Sequence, residues 1–296
     1  MAEEKVTNRW IMVIAALVMQ LCLGVLYSYS VFRGPLMKEV GFTVKQAGYP
    51  YMASLFFFAV AAIMLIGVCG AGLMFKVPPA GYKPAGWNPP TPSATTPTKT
   101  DWTPNEIIGN GQFWVLWLIY FFGAAAGLMI IGQAVPIGVE VAKLEKGVAA
   151  AGLGTMALLN GLGRLVHGSI SDKIGRKNTI ILCFAEYLVA FLILLPNADT
   201  FTKWLVGICI VGFSYGGYLA IMPSMTADYF GTKSLGANYG YLFTAWGVAG
   251  VGGPFMIDAI KASTGAFTMA MYYISAACVA GIVLVFLSKK PEFKGA

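Results

Sequence analysis

Within one apolar stretch, Asn160, Arg164, His167 and Ser171 are separated by four, three and four residues. On a helix that spacing places all four on one face. Such a polar stripe is most simply explained by lining an aqueous path, with Arg164 near mid-membrane, where transporters bind their substrates. Placing Arg164 at the centre of an apolar helix costs about 2.5 to 3.5 kcal/mol on insertion scales, so it needs a partner or a water-lined cavity. Two readings stay open. The stripe lines an aqueous path with Arg164 at the depth of a substrate site, or Arg164 is structural and pairs with a carbonyl or with Glu186. Trp246, with Phe243 and Tyr239 one and two turns before it, either walls such a site or only packs. Tyr27 (on one face with Gln20 and Gly24), Gln133 and Tyr215 are further candidate neighbours, while Glu186 and Asp258 could take up protons.

The elements that must carry these residues follow from composition. The chain has 296 residues, 57% hydrophobic and 11% charged, with a mean hydropathy of +0.71. Soluble domains are about 25% charged, which excludes a soluble enzyme or a nucleic-acid-binding module and leaves an all-α, polytopic membrane protein. About 20 apolar residues are needed per crossing, which predicts eight spans: roughly 10–32, 50–75, 113–137, 148–170, 178–196, 203–227, 236–260 and 267–288. Gly123 and Gly127, Gly212 and Gly216, and Gly236 and Gly240 offer close helix contacts at four-residue spacing. Gly247 to Pro254 is expected to interrupt its helix. The first span is expected to be retained and not cleaved as a signal peptide.

The net charge of +7 is a topology signal. More lysines and arginines, Lys173, Arg176, Lys177, Lys289 and Lys290 among them, fall on the side of the N-terminus, which predicts both termini in the cytoplasm. Residues 77–112 hold eight of the 15 prolines and read as a semi-extended cytoplasmic linker. The expected organisation is thus two spans in 1–76, the linker 77–112, and six spans in 113–296. The five cysteines lie singly in apolar runs, and one histidine is too few for a histidine-based metal site, so no metal and no cofactor are expected. No HExxH motif and no pair of intramembrane acids is present, and the chain is not expected to be an enzyme.

The turn GSISDKIGRKN carries Gly168, Asp172, Gly175, Arg176 and Lys177 at the spacing G-x-x-x-D-x-x-G-R-K. It resembles the charged cytoplasmic loop of the major facilitator superfamily. With RWIMVIAALVMQLCLGVLYSYSVFRGPL (9–36), VPPAGYKPAGW (77–87), FWVLWLIYFFGAAAGLMIIGQAVPIG (113–138), NGLGRLVHGSISDKIGRKN (160–178) and NYGYLFTAWGVAGVGGP (238–254), the chain is similar to the oxalate/formate antiporter family of that superfamily. The resemblance implies twelve spans in two halves. Residues 49–63 look like the start of a second span and 64–87 like the end of a sixth, which implies four spans missing from the N-terminal half and a complete C-terminal half. It also implies that Arg164 matches one of the two cations that neutralise oxalate, whereas Trp246 takes the place of the second, a lysine. One cation suits one carboxylate, since a dianion would keep an uncompensated charge in low dielectric.

The expectation is a prokaryotic inner-membrane secondary transporter of small organic anions, working by antiport or ion coupling. A monocarboxylate such as formate, lactate or pyruvate is favoured over oxalate. Its partners would be the carboxylate, the bilayer and, in one version, a second copy of the chain; no nucleic acid is expected. The alternative is a transport-inactive deletion remnant that acts at most in assembly.

Overall fold

The computed structural model describes Gly70, Leu73 and residues 101–291. The expected spans 10–32 and 50–75, the join near residue 63, Tyr27 and the linker to residue 100 lie outside that set.

Seven helices follow in order: α1 Pro104–Ile108, α2 Gly111–Glu140, α3 Lys146–Ile174, α4 Arg176–Val189, α5 Phe201–Phe230, α6 Leu235–Thr264 and α7 Phe267–Leu287. A π-helical turn, Ala190–Leu194, continues α4. Among the described residues, six helices are long and apolar enough to cross a membrane, counting α4 with its π turn as Arg176–Leu194. All six coincide with predicted spans. Helices of 30 residues rise about 45 Å and so extend past a hydrocarbon core of about 30 Å.

Two local expectations are corrected. The stretch 104–112 is not extended: Pro104 opens α1, the Thr103 backbone N–H donates to Glu106 Oε2 at 2.7 Å, and α2 begins at Gly111 behind an Asn110 cap. Proline at a first helical position lacks only an N–H that would be unpaired anyway. The glycines before Pro254 do not interrupt α6, which runs unbroken through them. Pro136 and Pro223 likewise sit inside α2 and α5, as membrane helices tolerate.

The packing is aromatic ring into glycine notch. Tyr218 lies over Gly123, Tyr215 over Gly127, Trp204 over both Gly138 and Gly152, and Phe184 over Gly281. Trp204 is fully buried, and its indole donates to the Ala134 carbonyl at 3.1 Å. α3 and α5 come closer still, backbone to backbone: a Cβ on Gly163 would overlap the Phe213 carbonyl, and one on Gly216 the Asn160 carbonyl. In lipid such van der Waals contact largely takes over the role of the hydrophobic effect. Gly236 and Gly240 share the four-residue spacing, yet a Cβ at either meets nothing within 4 Å among the described residues.

The end of α5 and the start of α6 are stitched together by residues before and between the helices. Trp102 N–H donates to the Phe230 carbonyl at 2.9 Å, Asn238 Nδ2 to the Trp102 carbonyl at 2.9 Å, and Lys233 N–H to Asp101 at 2.9 Å. At the opposite end, in the turn before α5, the Lys203 ammonium donates to Asp199 at 3.0 Å and holds that exposed carboxyl below the usual carboxylate range.

Candidate functional site

The stripe on α3 faces α5 and α4, and three of its four members have protein partners. Asn160, 5% exposed, donates through Nδ2 to the Gly212 carbonyl at 2.9 Å. His167 is fully buried: Nδ1 meets the Gly163 carbonyl at 3.1 Å, and Nε2 meets both carboxylate oxygens of Glu186 at 3.2 Å. Ser171 Oγ accepts from the Arg176 guanidinium at 2.6 Å.

Arg164 is different. It is half-buried, and its Nε is buried with no hydrogen-bond partner among the described residues. The structural alternative offered Glu186 as its counterion, but that carboxylate belongs to His167 and to Ser214, whose hydroxyl lies 2.5 Å from Oε2. Arg164 instead sits close enough to Tyr239 on α6 for its charge to act there.

The aromatic residues of α6 form a ladder on that side. Tyr239 and Tyr120 share a hydroxyl hydrogen bond of 2.9 Å. Phe243 follows at 5.5 Å from Tyr239, and Trp246 stacks on Phe243 at 5.0 Å. Trp246 Nε1 then donates to the Tyr215 hydroxyl at 2.6 Å. Trp246 and Tyr215 are therefore brought together as one aromatic wall joining α5 and α6. Gln133 is placed apart: its amide donates to Asp258 at 2.9 Å, twelve residues or about 18 Å along α6 from Trp246. Beside that pair, the Lys261 ammonium holds Glu140.

The loop residues form a clasp where α3 turns into α4. Gly175 has φ +89°, a left-handed conformation glycine adopts at no steric cost, so α3 ends and α4 begins within one residue. Arg176 donates to Asp172 at 2.6 Å and to Asp228 of α5 at 3.4 Å. Lys177 donates to the Ser288 carbonyl after α7 at 2.6 Å. Gly168, half-buried, has room for a Cβ.

Ser214, Tyr120 and Asp228 are neighbours of these residues that the sequence reading left unassigned. Their partners lie on other helices, and only Asp228, an acid at the end of a span, stood out by type. Cys183 Sγ completes a group with the His167 and Glu186 donor atoms, all within 4.8 Å of one another; the ring and carboxylate spend their facing positions on each other, so hydrogen bonding accounts for the cluster.

The sequence profile of the Major Facilitator Superfamily matches residues 41–254 and, again, residues 153–295. An oxalate:formate antiporter of Oxalobacter formigenes is 33% identical over 170 residues, 57% of this chain and 40% of that protein. An uncharacterized MFS-type transporter, YhjX, of Escherichia coli is 30% identical over 193 residues, 65% and 45% of the two chains. An apicoplast pyruvate carrier of Toxoplasma gondii is 25% identical over 160 residues, 52% and 29% of the two. The chain spans less than half the length of these relatives.

Proposed function

The chain belongs to the major facilitator superfamily, whose members are multi-pass membrane transporters and not enzymes, and from that premise we propose that it is a secondary transporter of small carboxylates, monocarboxylates before dicarboxylates. One observation carries the reading: Arg164 keeps a buried Nε with no partner among the described residues. A cation held so in a bilayer helix has an anion as its natural complement. Asn160 and Gly216 set the α3–α5 register from which Arg164 projects, His167 lies one turn further along α3, and Tyr215 with Trp246 walls the site on the α6 side. Tyr27 would contribute from the other half, and Gln133 would act at the outer end. Antiport or ion coupling would drive transport across the prokaryotic inner membrane, with both termini cytoplasmic. Residues 1–76 and 113–296 would form unequal transporter halves joined by the linker 77–112. Where the N-terminal half falls short, a second copy could complete the path, and cross-linking in membranes reads that directly.

The names of two relatives, an oxalate:formate antiporter and a pyruvate carrier, support carboxylates as the class. The preference within it rests on Trp246 standing where the resemblance expects a lysine. Counterflow of labelled formate, lactate and oxalate into proteoliposomes tests both levels. The expected result is saturable uptake of formate and lactate with oxalate a poor competitor. Oxalate affinity equal to that of formate would remove the monocarboxylate preference. Folded, inserted protein with no uptake above empty liposomes would leave the transport-inactive alternative.

Trp246→Lys supplies the second cation. A unit charge pair at about 4 Å in an effective dielectric near 20 is worth about 4 kcal/mol before desolvation and lost indole contacts. We therefore expect the oxalate-to-formate preference to rise on the order of tenfold or more, read as the ratio of inhibition constants in the same counterflow assay.

A further inference from the structure

His167 and Glu186 sit where neither can be ignored: the ring is fully buried and the carboxylate side chain is 23% exposed, both within helices that cross the bilayer. Their hydrogen bonds count protons. The Gly163 carbonyl can only accept, so Nδ1 at 3.1 Å carries a hydrogen. Nε2 faces two carboxylate oxygens at 3.2 Å each, and a bare Nε2 lone pair against a carboxylate would repel. A proton therefore lies between ring and carboxylate, whichever of the two it is bonded to. Ser214 braces the same carboxylate, its one hydroxyl hydrogen facing two acceptors, Glu186 Oε2 at 2.5 Å and the Ile210 carbonyl at 2.8 Å.

We propose that the His167–Glu186 pair, braced by Ser214, is a proton-binding site that governs whether Arg164 is available to a substrate carboxylate. With the proton in place the pair is neutral, and Arg164, one turn earlier on α3, is left to the anion. Release of the proton leaves a bare carboxylate on Glu186, which competes with substrate for the Arg164 charge. Cys183 on α4 lies beside the pair, Phe213 on α5 packs on the imidazole at 4.6 Å, and Tyr187 of α4 has Tyr215, Tyr218 and Cys278 about it. These thiols and phenols are uncharged near neutral pH in their ordinary form, and Arg164 is the fixed charge on α3 one turn from His167. Linkage then requires proton and anion to bind together, each strengthening the other by the same factor. The proposal rests on the carboxylate-transport reading and adds its coupling ion.

Two measurements on the full chain in lipid test it. His167 is the single histidine, so histidine labelled with nitrogen-15 reports this ring alone. The expected spectrum shows Nδ1 bonded to hydrogen and a proton shared at Nε2, the second feature disappearing in Glu186→Gln. The second is formate binding and counterflow at about pH 6 and about pH 8. The dissociation constant is expected to weaken on the order of tenfold at the higher pH, with the difference lost in Glu186→Gln. Formate exchange with one affinity at both pH values overturns the proton site and leaves the transport reading standing. No formate exchange at either pH overturns the transport reading, and the coupling with it. An Nε2 that neither carries nor accepts a hydrogen-bonded proton in the parent chain overturns the proposal whatever the uptake.

Discussion

Arg164→Gln is expected to reduce saturable formate counterflow by at least a hundredfold without lowering the melting temperature of the purified protein. The two halves of that expectation come from the same atom. Nε of Arg164 is buried and has no partner among the described residues, so the change removes no hydrogen bond there and relieves the cost of holding a cation in an apolar helix, about 2.5 to 3.5 kcal/mol on insertion scales. An arginine that served only to brace helices would behave in the opposite way, its loss lowering stability and sparing uptake. The hundredfold figure corresponds to about 2.7 kcal/mol, the range of a charge-assisted hydrogen bond to a carboxylate lost from a partly desolvated site. Arg164→Lys is intermediate: it keeps the charge, loses the planar fork, and is expected to retain a minor part of the uptake. Uptake unchanged in Arg164→Gln removes the anion site from this helix.

The largest effect on stability belongs to Gly163 and Gly216. A single methyl at either position overlaps a backbone carbonyl of the facing helix, Phe213 or Asn160, and a backbone cannot rotate aside as a side chain can. The overpacking cost is about 3 kcal/mol or more, a fall in melting temperature of roughly 10 °C for a chain of this size. Gly154→Ala and Gly161→Ala are the controls. They lie on the same α3, a methyl there meets nothing within 4 Å among the described residues, and the gain in helix propensity makes them neutral or slightly stabilising. Gly163→Ala tolerated as well as Gly161→Ala would mean that α3 and α5 are not packed as described. Because Asn160 binds the Gly212 carbonyl across the same contact, any separation of the two helices also turns Arg164 away from the site.

Span positions were legible because the bilayer imposes a length on apolar runs, and the six long helices α2 to α7 lie within a few residues of the predicted spans. The charged turn was equally legible: Gly175, Arg176 and Asp172 are close in sequence and meet in space. What spacing could not supply was the identity of partners. Gly212–Gly216 and Gly236–Gly240 have the same separation, yet only the first pair faces a backbone, since the second lies on a helix surface with no described neighbour against it. The stripe from Asn160 to Ser171 correctly defined one face, but a face can point at water or at another helix, and three of its four residues point at protein. Glu186 lies nineteen residues from His167 and Ser214 twenty-eight from Glu186, so their meeting depends on the order of helices in the bundle. In the stretch before α2, the count of prolines concealed the one proline whose position favours a helix.

Asp101 and Trp102 are tied to the turn between α5 and α6, and α1 packs directly behind them. Every one of those ties falls between residues on the C-terminal side of Lys99. A cut in the polypeptide anywhere ahead of Asp101 would therefore leave the clip whole and α2 still anchored by its own lead-in. Produced from two separate genes and broken at that point, the later fragment would carry its six crossing helices with the α5–α6 turn already fastened.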